Sequence, residues 1–223
     1  MENVKSGQFN IYKLSIPKSV VFITLLAIFL NILRIVIWGK MSFFYILWNI
    51  CLAFIPFFIS YTILSLIKES RSNKIILIVG IVLWILFIPN APYIVTDFIH
   101  LGTTRSIPIL YDTFLLFSSA TVGMILFFES LNHVEQIIQM KLSKRKTSTI
   151  IGVIILVISF GMYIGRFLRF NSWDIFINHS SLFGHVWEIF SQATKHKEVY
   201  LYTVLFFVFL FTFYKAWKCS YKK

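Results

Sequence analysis

Residues 75–101 read IILIVGIVLWILFIPNAPYIVTDFIHL, an apolar run that ends in two prolines and a polar cluster. A helix needs about 20 apolar residues to cross the hydrocarbon core of a bilayer, and this run supplies them. Proline lacks the backbone donor and clashes with the preceding turn, so Pro89 and Pro92 predict a break near one end of the span. Such a break is tolerated at membrane depth only where protein buries it or where it lines a cavity. A plain helix stop at the membrane interface is the alternative.

Five further apolar runs of similar length accompany this one. The six predicted spans are 17–38, 43–67, 75–95, 107–132, 149–170 and 199–217. The first run is too long for a signal-peptide core and has no small-residue cleavage site after it, so we interpret it as an uncleaved span. The predicted fold is all-α: a polytopic membrane bundle of about six transmembrane helices, with a broken third helix. Residues 1–223 are expected to form a single integral membrane domain.

The composition supports a membrane protein. The chain is 58% hydrophobic and only 13% charged, whereas soluble proteins average roughly 45–50% and about 25%. In a soluble protein the net charge of +12 would suggest a nucleic-acid partner. Membrane proteins instead concentrate Lys and Arg in cytoplasmic loops, next to anionic lipid. We therefore expect membrane lipid, and no nucleic acid, as a partner.

The basic residues also predict an orientation, because cytoplasmic loops carry the excess of Lys and Arg. One side carries fourteen of the 21 basic residues: Lys5, Lys13, Lys18, Lys68, Arg71, Lys74, Lys141, Lys144, Arg145, Lys146, Lys215, Lys218, Lys222 and Lys223. The other side carries the remaining seven: Arg34, Lys40, Arg105, Arg166, Arg169, Lys195 and Lys197. The first side, which holds both termini, is predicted to be cytoplasmic.

Asp97 and His100 follow the proline-rich break on the predicted outer side. If this stretch is helical, residues three apart share a face. A carboxylate beside an imidazole can orient it and form an acid–base pair, so both are candidate catalytic residues. The same pair can supply two metal ligands or simply meet interfacial water; we predict no metal site and leave cofactors open. Asn90 can satisfy backbone groups freed by the prolines or bind a ligand.

Arg166 and Arg169 emerge three residues apart at the outer end of the fifth span, followed by Asp174. Arginine suits bidentate contact with carboxylate or phosphate. These residues are candidates for binding an anionic lipid headgroup or a phosphorylated substrate. They can equally form ion pairs that hold the bundle together, with the acidic residues Asp97, Asp112 and Asp174.

Other patterns concern packing and the membrane interface. Gly161 and Gly165, like the Ser118–Gly123 stretch, predict close helix approach. Residues 182–190 place apolar side chains at helical spacing and predict an amphipathic helix on the outer leaflet. Arg34 is expected to pair or to snorkel, and Asp112 to complement a helix dipole. Glu129, His133 and Glu135 are interpreted as an ordinary solvated helix end.

The segments LWILFIPNAPYIVTDFIHL (83–101) and GRFLRFNSWD (165–174) resemble a family of bacterial integral membrane proteins known only as a domain of unknown function. The resemblance covers most of the chain and is unbroken from Pro89 to Asp97. It implies a bacterial membrane protein and adds no mechanism.

Three functions remain open from the sequence. The first is an enzyme at the outer face of the bacterial plasma membrane, in which Asp97 and His100 do acid–base work and Arg166 and Arg169 hold an anionic lipid or lipid-linked substrate. The second is a small transporter or permease component, because broken helices bind ions and substrates. Against it, the polar groups crowd one edge of the membrane. The third is an accessory scaffold that binds a membrane protein partner.

Overall fold

The computed structural model describes residues 18–71, 73–102 and 107–221, and within these ranges it is helical and contains no strand. The helices are α1 (Lys18–Trp38), α2 (Tyr45–Lys68), α3 (Lys74–Phe87), α4 (Asn90–Tyr93), a 3-10 helix (Ile94–His100), α5 (Ile109–Gln139), α6 (Lys144–Phe167), α7 (Asp174–Ile177), α8 (His179–Ser191) and α9 (Lys197–Tyr221). The predictions that involve Lys5, Lys13, Arg105, Lys222, Lys223 and the first residue of the first span, Pro17, lie outside the described residues.

Among the described residues, six helical segments are long and apolar enough to cross a membrane. They are α1, α2, the segment from α3 to the 3-10 helix, α5, α6 and α9. The all-α, polytopic prediction is confirmed. The bounds differ most at α5, which continues to Gln139 instead of ending at residue 132. The α6 helix begins at Lys144 instead of 149, and the third span continues to His100 instead of ending at 95. Each added stretch carries a polar side chain with a partner on another helix: Gln136 accepts from Lys68 at 3.3 Å, and Ser148 accepts from Lys215 at 2.8 Å.

Helix α5 forms the centre of the bundle. Its most apolar window is 78% buried, whereas no other span exceeds 44%. It packs against α1, α2, α6 and the broken segment after α3, while α9 packs on the outside of α6. Because lipid is as apolar as the core, a helix surrounded by protein is recognised by its small and polar residues. The buried Ser118, Ser119 and Gly123 of α5 fit that description.

The third span breaks where the two prolines predict. Pro92 has no N–H for the carbonyl of Ile88, and the N–H of Ala91 donates to that carbonyl instead, at 3.2 Å. The carbonyl of Phe87 then receives the Asn90 side-chain amide at 3.1 Å. The backbone groups freed by the break are therefore satisfied inside the protein, as membrane depth requires.

Glycines on α5 and α6 receive this broken segment. A Cβ placed on Gly123 would run into the carbonyl oxygen of Ala91, and one placed on Gly161 would lie 3.1 Å from the Pro89 ring. A Cβ on Gly165 would lie 3.3 Å from the Tyr93 ring. The predicted close approach thus occurs between these helices and the short α4 segment.

A buried ion pair joins α1 to α5. Arg34 Nε and Nη2 donate to the two carboxylate oxygens of Asp112 at 2.9 and 3.3 Å, and both side chains are 1% exposed. Arg34 Nη1 also donates to Ser42 at 2.8 Å, and its guanidinium lies 4.2 Å from the Phe43 ring centroid. Asp112 is therefore the partner of the intramembrane arginine, beyond its place in the first turn of α5.

The interpretation of residues 129–135 as a solvated helix end is wrong. Glu129 is buried, and His133 Nδ1 lies 3.0 Å from the hydroxyl of Ser60 on α2. Ser130 donates to the carbonyl of Pro56 at 3.0 Å and accepts from the Trp84 indole at 2.8 Å. These polar side chains connect α2, α3 and α5 because buried hydroxyl and imidazole groups must find partners.

The amphipathic helix is present as α8. Phe183, Trp187 and Phe190 are exposed, while Ile189 is buried against Tyr163 and Val199. A helix with exposed aromatic side chains beside a transmembrane bundle suits the membrane interface, where such rings partition.

Candidate functional site

A polar cavity of about 540 Å³ opens at the end of the bundle where α2 begins and α6 ends. The broken third span forms its wall between these helices. We call it the polar cavity; it is lined by Tyr45, Trp48, Asn49, Leu52, Pro89, Asn90, Tyr93, Asp97, Ile99, His100, Gly165, Arg166, Arg169, Phe170, Asn171 and Ser172. Its volume is in the range of small-molecule sites in proteins.

Asp97 is held at the inner wall of this cavity. Its Oδ1 forms an ion pair with Arg166 Nη2, and its Oδ2 accepts from the Asn49 side chain at 3.0 Å. Asp97 is 1% exposed, so its charge depends on these partners. The 3-10 helix supplies the carboxylate, the last turn of α6 the guanidinium and the second turn of α2 the amide.

Arg166 also contacts His100 and Thr96. Its Nε donates to the Thr96 hydroxyl at 2.7 Å, and its Nη1 lies 3.2 Å from His100 Nε2. A guanidinium has only donors, so this contact requires Nε2 to accept, which places the proton of a neutral imidazole on Nδ1. The guanidinium therefore contacts both members of the predicted Asp97–His100 pair and fixes the tautomer of the histidine.

Two tyrosines complete this wall. The Arg166 guanidinium lies 4.5 Å from the centroid of the Tyr93 ring, and the Tyr45 ring packs edge-on against His100 at 5.8 Å. A guanidinium over an aromatic face gains cation–π attraction, especially where water is excluded. Tyr93 thus helps to hold Arg166 in place, and Tyr45 helps to hold His100.

Arg169 differs from Arg166 in its surroundings. It lines the polar cavity with an exposed side chain, and no carboxylate among the described residues forms an ion pair with it. Helix α6 ends at Phe167, and Arg169 adopts a left-handed backbone with φ 60°. That conformation costs a non-glycine residue roughly 1–2 kcal/mol. Asp97 is the one acid among the described residues of the cavity wall and is already paired, so Arg169 leaves the cavity with an uncompensated positive charge.

Asn90 and Asp174 occupy different places. Asn90 lines the cavity and donates to Ser172 at 2.9 Å, which ties the break in the third span to the segment after α6. Asp174 accepts from the backbone N–H of Asn171 at 2.5 Å and is not part of the cavity wall. The structure thus brings Asn90, Asp97, His100, Arg166 and Arg169 together, whereas Asp174 shapes the loop beside them.

Sequence reasoning missed Asn49, Tyr45 and Tyr93. Asn49 carried a signal, because an amide inside an otherwise apolar span is costly unless it has a partner. The tyrosines carried none, since aromatic residues are frequent throughout this chain and at membrane interfaces. Across the described residues, no group of three or more His, Cys, Asp or Glu side chains is arranged to hold a metal ion.

The sequence profile of one family matches most of the chain. The family is described as "Protein of unknown function (DUF1361)", and the match covers residues 48–213, which include every residue of the polar cavity except Tyr45. No curated protein and no solved structure matches the chain.

Proposed function

The chain belongs to this family of unknown function, and we propose that it binds the anionic headgroup of a lipid or lipid-linked substrate in the polar cavity and acts on it as an enzyme. The observation that carries this proposal is Arg169, a cavity-lining arginine without a carboxylate partner among the described residues. Arg166 lines the same cavity; its Nε and Nη1 contact Thr96 and His100, and Nη1 carries a second N–H. A phosphate or carboxylate group can therefore meet two guanidinium groups at once.

The site lies at the membrane edge, which suits an amphiphile. Asn49 belongs to the second turn of α2, and Arg166 to the last turn of α6. Exposed apolar side chains of Trp48 and Ile99 flank the cavity mouth. A lipid headgroup sits at this depth, whereas substrate sites of secondary transporters lie near the midplane. This placement favours lipid chemistry over transport.

His100 is the residue that we assign to proton transfer. Its Nε2 accepts from Arg166 Nη1, at 3.2 Å. An anion that takes over this donor would release Nε2, and the imidazole could then accept a proton from a nucleophile near the headgroup. Asp97 would act as a positioning residue, because it holds Arg166 through the ion pair.

The distribution of Lys and Arg determines the side of the membrane to which we assign the polar cavity. The basic excess on the opposite end of the bundle favours a plasma-membrane protein with cytoplasmic termini, which puts the polar cavity at the outer face. Lipids and lipid-linked precursors of the cell envelope are then the substrates to test.

Binding tests the proposal directly. The purified protein, in nanodiscs of phosphatidylcholine, is titrated by calorimetry with dihexanoyl phosphatidic acid and with dihexanoyl phosphatidylcholine. The anionic lipid should bind at least tenfold more tightly, and Arg169→Ala should weaken it about tenfold or more, because a hydrogen bond to a charged group contributes about 1.5–3 kcal/mol. Lys195→Ala removes an exposed cation from the segment between α8 and α9 and is the matched control. Equal binding of both lipids, or equal loss in both variants, would refute the proposed site.

Catalysis requires a second readout. The protein is incubated with vesicles of phosphatidylglycerol, cardiolipin and phosphatidic acid, and products are followed by mass spectrometry. Conversion by the wild type that disappears in His100→Gln, while headgroup binding persists, supports the enzyme. Binding without conversion of any of these lipids would leave a lipid-dependent scaffold as the better description.

A further inference from the structure

A second cavity of about 230 Å³ lies beside the polar cavity, and we call it the apolar groove. It runs between α3 and α6, with Ile85 and Leu86 on one wall and Val157 and Ile164 on the other. On the interfacial side, the groove is closed by Ile175 of α7 and Leu182 of α8. The groove therefore lies within the membrane-spanning part of the bundle, beneath the amphipathic segment.

The groove continues from the polar cavity. Pro89, Phe170, Asn171 and Ser172 belong to the walls of both. Asn90, which donates to Ser172, and the kinked backbone at Pro89 lie at this boundary. A molecule that fills both spaces would place a polar end beside Arg166 and Arg169 and an apolar end between α3 and α6.

The groove is also accessible from the side. Ile85 is 46% exposed and Val157 is 54% exposed, and in a membrane-spanning helix these surfaces meet lipid. Gly161 allows this arrangement, because a side chain there would press against the Pro89 ring. A hydrocarbon chain can therefore enter from the bilayer without crossing water.

We propose that the apolar groove holds one hydrocarbon chain of the lipid whose headgroup occupies the polar cavity. This inference rests on the proposed function and narrows it, because it selects a membrane lipid over a water-soluble anion. Charge and shape support the same occupant: the positive end of the combined site fits a phosphate headgroup, and the apolar end fits an acyl or prenyl chain.

The physical role of the groove is selection and alignment. A chain that moves from lipid to protein gains little hydrophobic free energy, because lipid tails are as apolar as leucine side chains. Affinity then comes mainly from the headgroup, while dispersion contacts in the groove fix the chain. A chain fixed between α3 and α6 would hold the headgroup ester beside His100.

Photolabelling tests the groove. Phosphatidic acid that carries a diazirine within one acyl chain is incorporated into phosphatidylcholine nanodiscs with the full-length protein, irradiated, and the labelled residues are mapped by mass spectrometry. The same probe with a choline headgroup reports nonspecific contact of lipid with the helices. The anionic probe should label residues 85–86 and 157–164 several-fold more than the choline probe does.

A pair of tryptophan substitutions supplies the structural control. Val157→Trp fills the groove, whereas Val153→Trp adds the same side chain one turn away on α6, at a position that is 56% exposed and outside the groove. Val157→Trp should reduce anionic labelling of residues 85–86 several-fold, and Val153→Trp should leave it unchanged. Thermal unfolding of both variants checks that they remain folded.

The outcomes separate this inference from the proposed function. If short-chain phosphatidic acid binds in an Arg169-dependent way but groove labelling shows no preference for the anionic probe, the groove assignment is wrong and the headgroup site stands. The assignment is also overturned if neither Arg169→Ala nor Val157→Trp changes the extent to which the anionic probe labels the groove residues. If the short-chain lipid does not bind at all, the proposed function fails first.

Discussion

The two arginines of the sequence RFLR (166–169) take two different roles. Arg166 belongs to the last turn of α6 and is engaged by Asp97, Thr96 and His100. Arg169 lies beyond the helix end, with a left-handed backbone that the local chain tolerates at a cost. The first arginine organises the site, and the second is the one that we propose meets the anionic group of the ligand.

The buried pair of Arg34 and Asp112 gives the first prediction. Arg34→Met leaves a buried carboxylate without its partner and should lower the free energy of unfolding by about 3–5 kcal/mol. Removing both charges in Arg34→Met/Asp112→Leu should restore much of the loss, because no unpaired charge remains. Unfolding by sodium dodecyl sulfate in mixed micelles measures both.

An exposed pair provides the control for this experiment. Arg71 lies 3.6 Å from Glu69 with side chains 79% and 53% exposed. Arg71→Ala should change stability by no more than about 1 kcal/mol. A double variant at positions 34 and 112 that is as unstable as Arg34→Met would contradict the argument that the unpaired charge causes the loss.

The sequence predicts individual contacts best where burying a charged side chain in the membrane is unfavourable without a partner. An arginine inside an apolar span had to pair or snorkel, and Arg34 pairs. Asn49 is also a polar residue inside an apolar span, and its need for a partner is met by the contact with Asp97. The prediction for His133 is wrong because a residue near the end of an apolar run is expected from the sequence alone to be exposed to solvent. Its contact with Ser60 comes from another helix and depends on a rotation that hydropathy does not encode.

At the scale of elements, the broken third span is kept in place by the helices behind it. Pro89 and Pro92 predict where the helix stops, and Gly123 and Gly161 allow the short α4 to lie against α5 and α6. Both the prolines and the glycines are visible in the sequence, but the sequence does not show that they contact each other. Glycine spacing predicts close approach without naming the neighbour.

Gly123 gives the second prediction. Gly123→Ala places a Cβ against the backbone carbonyl of Ala91, which cannot move aside as a flexible side chain would. We expect a loss of about 1–3 kcal/mol in the free energy of unfolding, with weaker headgroup binding because α4 and the 3-10 helix shift together.

Gly152 on α6 is the matched control for this substitution. A Cβ there would lie 3.8 Å from the Phe211 ring, an ordinary contact. Gly152→Ala should be neutral or should stabilise the helix by roughly 0.5–1 kcal/mol. Both are measured by the same detergent unfolding experiment, and equal effects of the two alanines would show that the close approach of Ala91 is not what matters at Gly123.

The amphipathic α8 gives the third prediction, which concerns its position at the membrane surface. Trp187 is 75% exposed, and its neighbour Glu188 has a side chain that is 52% exposed on another face. Nitroxide labels are placed at positions 187 and 188 in turn. The label at 187 should be accessible to oxygen from the bilayer, and the label at 188 to a water-soluble nickel chelate. Similar accessibilities at both positions would argue against an interfacial helix.

At the scale of the whole molecule, one end of the bundle is basic and partly self-neutralised, and the other holds the polar cavity. Contacts confirm which loops share the basic end: Lys68 donates to Gln136 at 3.3 Å, and Lys218 to Glu135 at 2.6 Å. Hydropathy predicted the number of spans because each must be apolar along its length. It could not predict the polar cavity, which forms only when three helices meet.

Orientation gives the last prediction, and its outcome decides where a ligand should be sought. Cys51 and Cys219, both exposed, are replaced, and single cysteines are placed at Ser180 on α8 and at Ser143 before α6. These positions lie at opposite ends of the bundle. Because Lys and Arg concentrate in cytoplasmic loops, an impermeant thiol reagent applied to intact cells should label position 180 and leave 143 unlabelled. Position 143 should react once the membrane is permeabilised, which confirms that its thiol is accessible.

Labelling of 143 alone in intact cells would instead place the polar cavity at the cytoplasmic face. The anionic group that meets Arg169 would then be sought among cytoplasmic-leaflet lipids and cytosolic phosphates, and the outer-face part of the proposal would be abandoned.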